Sequence, residues 1–245
     1  MALPEIKIIA YAQNAEDVVL CRAFDGVVGT YVDVGAGDPV IGSLTCNLYK
    51  RGWSGLNIEP IPHKAEALKI RTRDKLFEGI AGKDEGESQL EYAKDCWGMA
   101  TVDKNAKELL KSRFTTETIS VKRRTLHSLM TDFGIEPGFE FLKIDVEGFE
   151  TEVIEGANLQ FWQPRVLVIE ATIPGTSQLN PLWLPYLKGY KIALFDGLNM
   201  FLVRNGDPII QKIAIPANVF DKYVHHFWLE HMPALKAITD TNKNL

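Results

Sequence analysis

YVDVGAGDPVIGSLTCN, residues 31–47, decides how the rest of the chain is read. Tyr31–Val34 is a short β-rich run that breaks into Gly35, Gly37 and Pro39, and helical spacing resumes from Ser43 to Arg51. Glycines placed directly after a strand let the backbone approach a ligand closely at the end of a sheet.

The bulk properties suit such a sheet. The chain has 245 residues, 46% hydrophobic and 24% charged, the profile of one ordinary α/β domain with a full core. Its net charge is −5 and its pI about 5.6, so no general basic surface exists to hold nucleic acid. The densest basic run, Lys122–Arg124, reads as a solvated strand or loop edge. Cys21, Cys46 and Cys96 are far apart and show no metal-ligand spacing; they are expected as reduced thiols in a cytoplasmic protein. No apolar run approaches the roughly 18 residues of a membrane span, and acidic and polar residues come too early for a secretory leader.

Short apolar runs then alternate with helical patterns, which predicts a mostly parallel sheet with helices on both faces. The predicted strands are Tyr31–Val34, Leu56–Glu59, Leu76–Ala81, Phe141–Val146, Val166–Glu170, Lys191–Phe195 and Met200–Val203. Predicted helices occupy Ser43–Arg51, Lys64–Arg71, Thr125–Phe133, Glu150–Gly156 and Pro181–Leu187, with an N-terminal helix at Asn14–Phe24. Asp196-Gly197 between the last two strands is a hairpin signal, so the final strand is expected to run antiparallel. Residues 87–122 have weak strand signals and are expected as a loop-and-helix insertion over the strand ends. Residues 216–238 are expected as a helical tail, and the whole chain as one domain.

Two ligand classes use such a glycine loop, nicotinamide dinucleotides and S-adenosylmethionine. The dinucleotide fingerprint requires a third glycine, and Val40 stands there, preceded by Pro39. The methyl donor requires an acidic residue, a turn glycine and a glycine under the amino-acid part, which Asp33, Gly35, Ala36 and Gly37 supply in order. Glu59 lies 24 residues beyond Gly35 at the next predicted strand end, and Pro60 stops the strand. A carboxylate there can accept hydrogen bonds from both ribose hydroxyls.

Lys143, Asp145 and Glu147 alternate with apolar residues in FLKIDVEGFE, residues 141–150. Charge on a doubly covered strand demands pairing or function; the structural alternative is an ion pair of Lys143 with Asp145 or Glu170. Asp33, Asp145 and Glu170 are expected to end neighbouring strands and converge. Such carboxylates either accept the proton of an attacking hydroxyl or, as Asp145 with Glu170, hold a hard divalent cation. No Asn/Asp-Pro-Pro-aromatic turn for base nitrogens appears, nor a motif-borne cysteine for pyrimidine carbon, which leaves an oxygen acceptor.

In order along the chain, YAQNAEDVVLCRAF, VDVGAGDP, SLT, YKRGWSGLNIEP, LKIDVEGFE, VIEAT, FDGLNMFLV and IPANVFDKYV resemble the FkbM family of S-adenosylmethionine-dependent O-methyltransferases. The resemblance covers most of the chain. It implies a class I methyltransferase, Rossmann-like fold: seven strands, mostly parallel, the last antiparallel, helices on both faces. It also implies methyl transfer to a hydroxyl of a saccharide or glycoconjugate, with a polyketide-type hydroxyl or a catalytically silent cofactor-binding module as alternatives. By position, Asp33, Gly35, Gly37 and Glu59 match the cofactor site, Asp145, Glu147 and Glu170 the acidic strand ends, and Asn199 the residue after the hairpin turn. Family members often carry Asn where Gly37 stands, and WGMAT at residues 97–101 replaces a more usual Gly-Leu-Ser-Thr.

Gln13, Glu16 and Asp17 match the family's N-terminal motif, either as a helix folded over the cofactor mouth or as one closing the sheet. His225, His226 and His231 lack metal spacing, and His63 reads as exposed or capping. Trp53, Trp162 and Trp183 read as core, whereas Trp97 is a candidate platform for a pyranose ring.

Overall fold

The computed structural model describes residues 5–94 and 98–231. A seven-stranded sheet forms its centre, built from β2 (Thr30–Val34), β3 (Ser54–Ile58), β4 (Lys75–Phe77), β9 (Phe141–Ile144), β10 (Val166–Glu170), β11 (Tyr190–Phe195) and β12 (Asn199–Arg204). The intervening numbers belong to β1 (Ile8–Ala10), β5 (Ile80–Gly82), β6 (Gly86–Ala93), β7 (Ala100–Thr101) and β8 (Thr116–Thr125). The central order is β11-β12-β10-β9-β2-β3-β4. From β10 to β4 all pairings are parallel; β12 runs antiparallel to both its neighbours.

Side-chain alternation sorts these strands into two cores. Val32, Val34, Leu142, Ile144, Leu167, Ile169 and Leu202 face one side. They pack under α5 (Leu126–Asp132), α6 (Glu150–Glu155) and α7 (Leu159–Trp162). Tyr31, Phe141, Val166, Val168, Phe201 and Val203 face the other. That side is covered by α1 (Glu16–Ala23), α2 (Cys46–Lys50) and α8 (Ile210–Ile213). Each fully buried side chain of this size contributes about 1.5–3 kcal/mol. Trp53, Trp162 and Trp183 are all buried, in keeping with a core role.

Several local expectations change. The predicted strand Leu76–Ala81 is two strands, broken at Glu78-Gly79, where the chain leaves the central sheet and enters a second one. That second sheet, ordered β5-β8-β6-β7, occupies the segment expected to be loop and helix, and among the described residues there only α4 (Lys104–Arg113) is helical. Its antiparallel register runs from Gly86↔Arg123 to Ala93↔Thr116. Arg123 and Arg124 sit near the end of β8, an inner strand of this sheet, and pair with Asp84, Glu85 and Asp132. Pro185 lacks an N–H and confines the predicted helix Pro181–Leu187 to a single 3-10 turn at Leu184–Tyr186.

The tail expected to be helical also begins otherwise. A 3-10 turn at Val219–Asp221 is followed by β13 (Tyr223–His225), which pairs in parallel with β1, and then by α9 (His226–His231). Among the described residues no helix is long and apolar enough to cross a membrane. Cys21 and Cys46 are buried free thiols, and burial pushes Cys21 up to about 12; Cys96 lies outside the described residues.

Candidate active site

A cavity of about 610 Å³ opens beyond the C-terminal ends of β2, β3, β9 and β10. In open α/β sheets this is where ligands bind. Its floor begins with the loop after β2. Gly35 adopts φ +77 and Gly37 φ +65, a backbone region that costs other residues about 1–2 kcal/mol. At Gly35 no side chain fits, because a β-carbon would meet the Asp145 carbonyl oxygen; at Gly37 nothing lies within 4 Å, leaving open space for a ligand. The N–H groups of Gly35 and Ala36 both donate to the Ile58 carbonyl, at 3.0 and 3.1 Å, which fixes the loop onto β3.

Glu59 is 3% exposed and lines the cavity together with Pro60. Its Oε2 accepts from the Gly37 N–H at 2.7 Å and its Oε1 from the Ile61 N–H at 2.8 Å. Burial raises this carboxyl above its usual range, against the opposing pull of Lys64 and the two N–H groups. The residue expected to receive ribose hydroxyls therefore also organises the glycine loop, and each oxygen keeps a second lone pair for a ligand.

Asp33 corrects the expected convergence. Strand alternation puts it on the Tyr31 side, 1% exposed, where its Oδ2 accepts from Thr45 Oγ1 at 3.0 Å and Lys143 Nζ lies 3.4 Å from its Oδ1. It lies behind the cavity wall. Lys143 stands between, donating to the Gly35 carbonyl at 2.6 Å and pairing with Asp145 at 3.4 Å. Burial works against the Lys143 charge, but Asp33 and Asp145 more than offset it and hold the ammonium above the ordinary lysine range. The anticipated Lys143–Asp145 ion pair is thus present, with Asp33 as its second carboxylate.

Asp145, Glu147 and Glu170 do come together: one oxygen from each lies within 4.8 Å of the others. β9 ends at Ile144, so Asp145 and Glu147 belong to the following turn rather than to the strand. Glu147 takes a left-handed φ of 54. Its carbonyl accepts from Thr101 Oγ1 at 2.8 Å, and Glu150 braces the turn by accepting from the Val146 and Gly148 N–H groups. Glu170 is 7% exposed, its carbonyl held by Trp183 Nε1 at 3.0 Å, while its Oε2 has no hydrogen-bond partner. Burial and then the neighbouring carboxylates raise Glu147 and Glu170 above the usual range, and burial pushes Glu150 up to about 7.

Asn199 does not reach the cavity. It points with Phe201 toward α1 and donates to Glu16 at 2.6 Å, while Gly197 and Leu198 line the cavity in its place. α1 closes the sheet, and among the described residues ahead of it only Gln13 reaches the cavity wall. Trp97 lies outside the described residues; Gly98 to Val102 beside it form part of the wall. His225 contacts the Ala12 carbonyl at 2.9 Å and His226 stacks near Tyr11, so neither is placed as a metal ligand.

Sequence reasoning missed Arg71, Lys64 and the hydroxyl-bearing side of the cavity. Arg71 is 4% exposed and bonds Thr45 Oγ1, Ser43 Oγ and the Pro39 carbonyl, clamping the segment after the glycine loop. Nothing in its spacing distinguishes it from the surface-like RTRDK around it. Thr101, Thr172, Thr176 and Ser177 also line the cavity; they carry no pattern because a second sheet and a loop bring them there.

Five carboxylates face the cavity (Asp38, Glu59, Asp145, Glu147 and Glu170) against the ammonium groups of Lys64 and Lys143, so the site favours cationic ligands. Fold and site together define an α/β protein with an acidic cavity at its strand ends. Residues 33–208 match the methyltransferase FkbM domain, well over half of the chain, and the chain belongs to that family.

Among solved structures, the methyltransferase FkbM from Methylobacillus flagellatus KT is 18% identical, with TM-score 0.44, over 72% of this chain and 43% of its own. The bifunctional kinase-methyltransferase WbdD is 11% identical, with TM-score 0.41, over 80% of this chain and 40% of its own. A precorrin-6y methyltransferase from Geobacter metallireducens GS-15 is 12% identical, with TM-score 0.42, over 81% of this chain and 97% of its own. The chain therefore spans less than half the length of the first two. No curated protein matches it.

Proposed function

We infer that the protein is an S-adenosylmethionine-dependent O-methyltransferase of the class I architecture, acting on a hydroxyl of a saccharide or glycoconjugate. The observation that carries this reading is the meeting of three carboxylates, Asp145, Glu147 and Glu170, in the cavity that the glycine loop and Glu59 also line. The donor fits the residues present. Gly35, Ala36 and Gly37 offer backbone with open space at Gly37, Glu59 offers lone pairs for ribose hydroxyls, and the acidic wall suits a sulfonium and an ammonium. When bound, S-adenosylmethionine supplies an electrophilic methyl group and leaves as S-adenosylhomocysteine.

The chain's own residues do the rest. Thr172, whose Oγ1 has no partner among the described residues, and Ser177 supply hydroxyls to a polyhydroxylated acceptor, whereas those of Thr101 and Thr176 are taken up by the backbone around them. The carboxylate cluster assists loss of the acceptor's hydroxyl proton as its oxygen takes the methyl group, an effect typically worth about 10²–10⁴ in rate. Lys143 holds Asp145 in place through their ion pair. Holding both reactants in line supplies roughly 7–11 kcal/mol more through orientation.

The decisive experiment measures S-adenosylhomocysteine release with a panel of saccharide acceptors. Release with at least one is the expected result. Donor binding without release from any hydroxyl acceptor marks a silent binding module, and thermal stabilisation by NAD in place of the donor marks a dehydrogenase.

A further inference from the structure

The three carboxylates are arranged for more than taking a proton. Asp145 has a cationic partner, Lys143, on its Oδ2. Among the described residues Glu147 and Glu170 have none, and that lysine is already shared between Asp33 and Asp145. Glu170 lines the cavity with one oxygen turned toward those of Asp145 and Glu147, and its Oε2 is buried and unpaired. Glu147 is held in left-handed backbone by a turn fastened through Glu150 and Thr101. A fold that strains its backbone to bring a third carboxyl beside two others builds a group whose full ionisation needs a counter-ion among them.

We propose that Asp145, Glu147 and Glu170 chelate one hard divalent cation, of the magnesium, manganese or calcium class, against which the acceptor hydroxyl is seated. The ligand set consists of carboxylate oxygens without cysteine or histidine, which suits these ions and not zinc or copper. The spacing also suits them. Two oxygens on opposite sides of one ion are separated by twice the metal–oxygen length, roughly 4.2 Å for magnesium and 4.8 Å for calcium. The cluster's oxygens lie within 4.8 Å of one another, a spacing that one shared ion draws inward, least for calcium and further for magnesium or manganese. The remaining coordination positions face the cavity, where a hydroxyl bound to the ion loses its proton more readily. This last step rests on the methyl-transfer reading; cation binding itself does not.

The test titrates Mn²⁺, Mg²⁺ and Ca²⁺ into the chelator-treated full chain by calorimetry, with Glu147→Gln and Glu170→Gln in parallel. The expected result is one saturable site for Mn²⁺, weakened at least tenfold in each variant, with S-adenosylhomocysteine still stabilising both variants thermally. Absence of saturable binding, or equal affinity in wild type and both variants, overturns the proposal. Mn²⁺ electron paramagnetic resonance of the unaltered chain gives a reading independent of how the variants fold. A bound-ion spectrum displaced by Mg²⁺ supports the site, and the spectrum of free aqueous Mn²⁺ refutes it. If Mn²⁺ binds but S-adenosylhomocysteine does not, the methyl-transfer reading fails and the cation site stands. Full turnover in excess chelator overturns the cation's role beside the acceptor hydroxyl and leaves methyl transfer standing.

Discussion

A β-carbon built on Gly35 would lie 1.9 Å from the carbonyl oxygen of Asp145. The loop after β2 and the turn after β9 therefore touch backbone to backbone, and the donor side of the cavity is locked to the carboxylate side. Gly35→Ala combines left-handed strain of about 1–2 kcal/mol with a collision that only movement of the Asp145 backbone relieves. It is expected to lower stability in urea unfolding and to weaken S-adenosylhomocysteine binding more than tenfold. Gly37→Ala, at φ +65 with nothing within 4 Å, carries the strain without the collision and is expected to be the milder change. Equal effects from the two would break the proposed coupling.

Glu59 accepts an N–H on each oxygen, from Gly37 and from Ile61. In Glu59→Gln one oxygen becomes an amide that points a donor at a donor. A buried bond to a charged group is worth about 1.5–3 kcal/mol, so titration of this variant with S-adenosylhomocysteine is expected to show an affinity loss of tenfold or more. Unchanged affinity would separate Glu59 from the donor.

Much of this was legible in the sequence where burial is complete on both faces. β2, β9 and β10 read as nearly continuous apolar runs, and the glycines and Glu59 stood where the chain leaves them. The second sheet was not legible, because β6 and β8 carry polar and charged residues along one face: Glu87 opposes Lys122, and Glu91 opposes Thr118 and accepts from its hydroxyl. Cross-strand polar pairs of that kind look like a solvated loop when either strand is read alone. Asp33 and Asn199 stood at the strand ends but pointed to the wrong face for the roles expected of them. Which face a residue takes depends on the register of the whole sheet, set by Tyr31, Phe141 and Phe201 against α1 and α2. Arg71 and the hydroxyl-lined side of the cavity depend on contacts between segments distant in sequence.

Asp145→Ala is expected to fold, because the side chain is partly exposed at the cavity edge and its backbone N–H keeps its bond to the Val34 carbonyl. S-adenosylhomocysteine should still bind it. Single-turnover methyl transfer is expected to fall by about 10²–10⁴, and wild-type turnover would remove Asp145 from the reaction.

Glu16 gives the protein a pH dependence outside the cavity. Burial, and then Asp196, push its carboxyl up to about 8, so the folded chain holds a proton there that the unfolded chain releases near 4.5. Stability from this group is greatest below about 4.5, declines as pH rises and levels off above about 8. Asp17, pushed up to about 6 mainly by burial, adds to the early part of the decline. Urea unfolding of wild type and Glu16→Gln at pH 5 and pH 8 is expected to show a smaller loss in the variant. Parallel losses would show that Glu16 does not titrate in this range.

The Glu59 backbone is gripped on both sides at the point where the chain passes between sheets, its N–H on the Phe77 carbonyl and its carbonyl on the Gly79 N–H. The second sheet departs from the first at those residues, so it hangs over the cavity like an awning bolted to the sill it shades. β8 runs on into α5 in the main core, so the awning is fastened at two points, and on the reading given above the grip on the donor and the roof over the acceptor share one length of backbone.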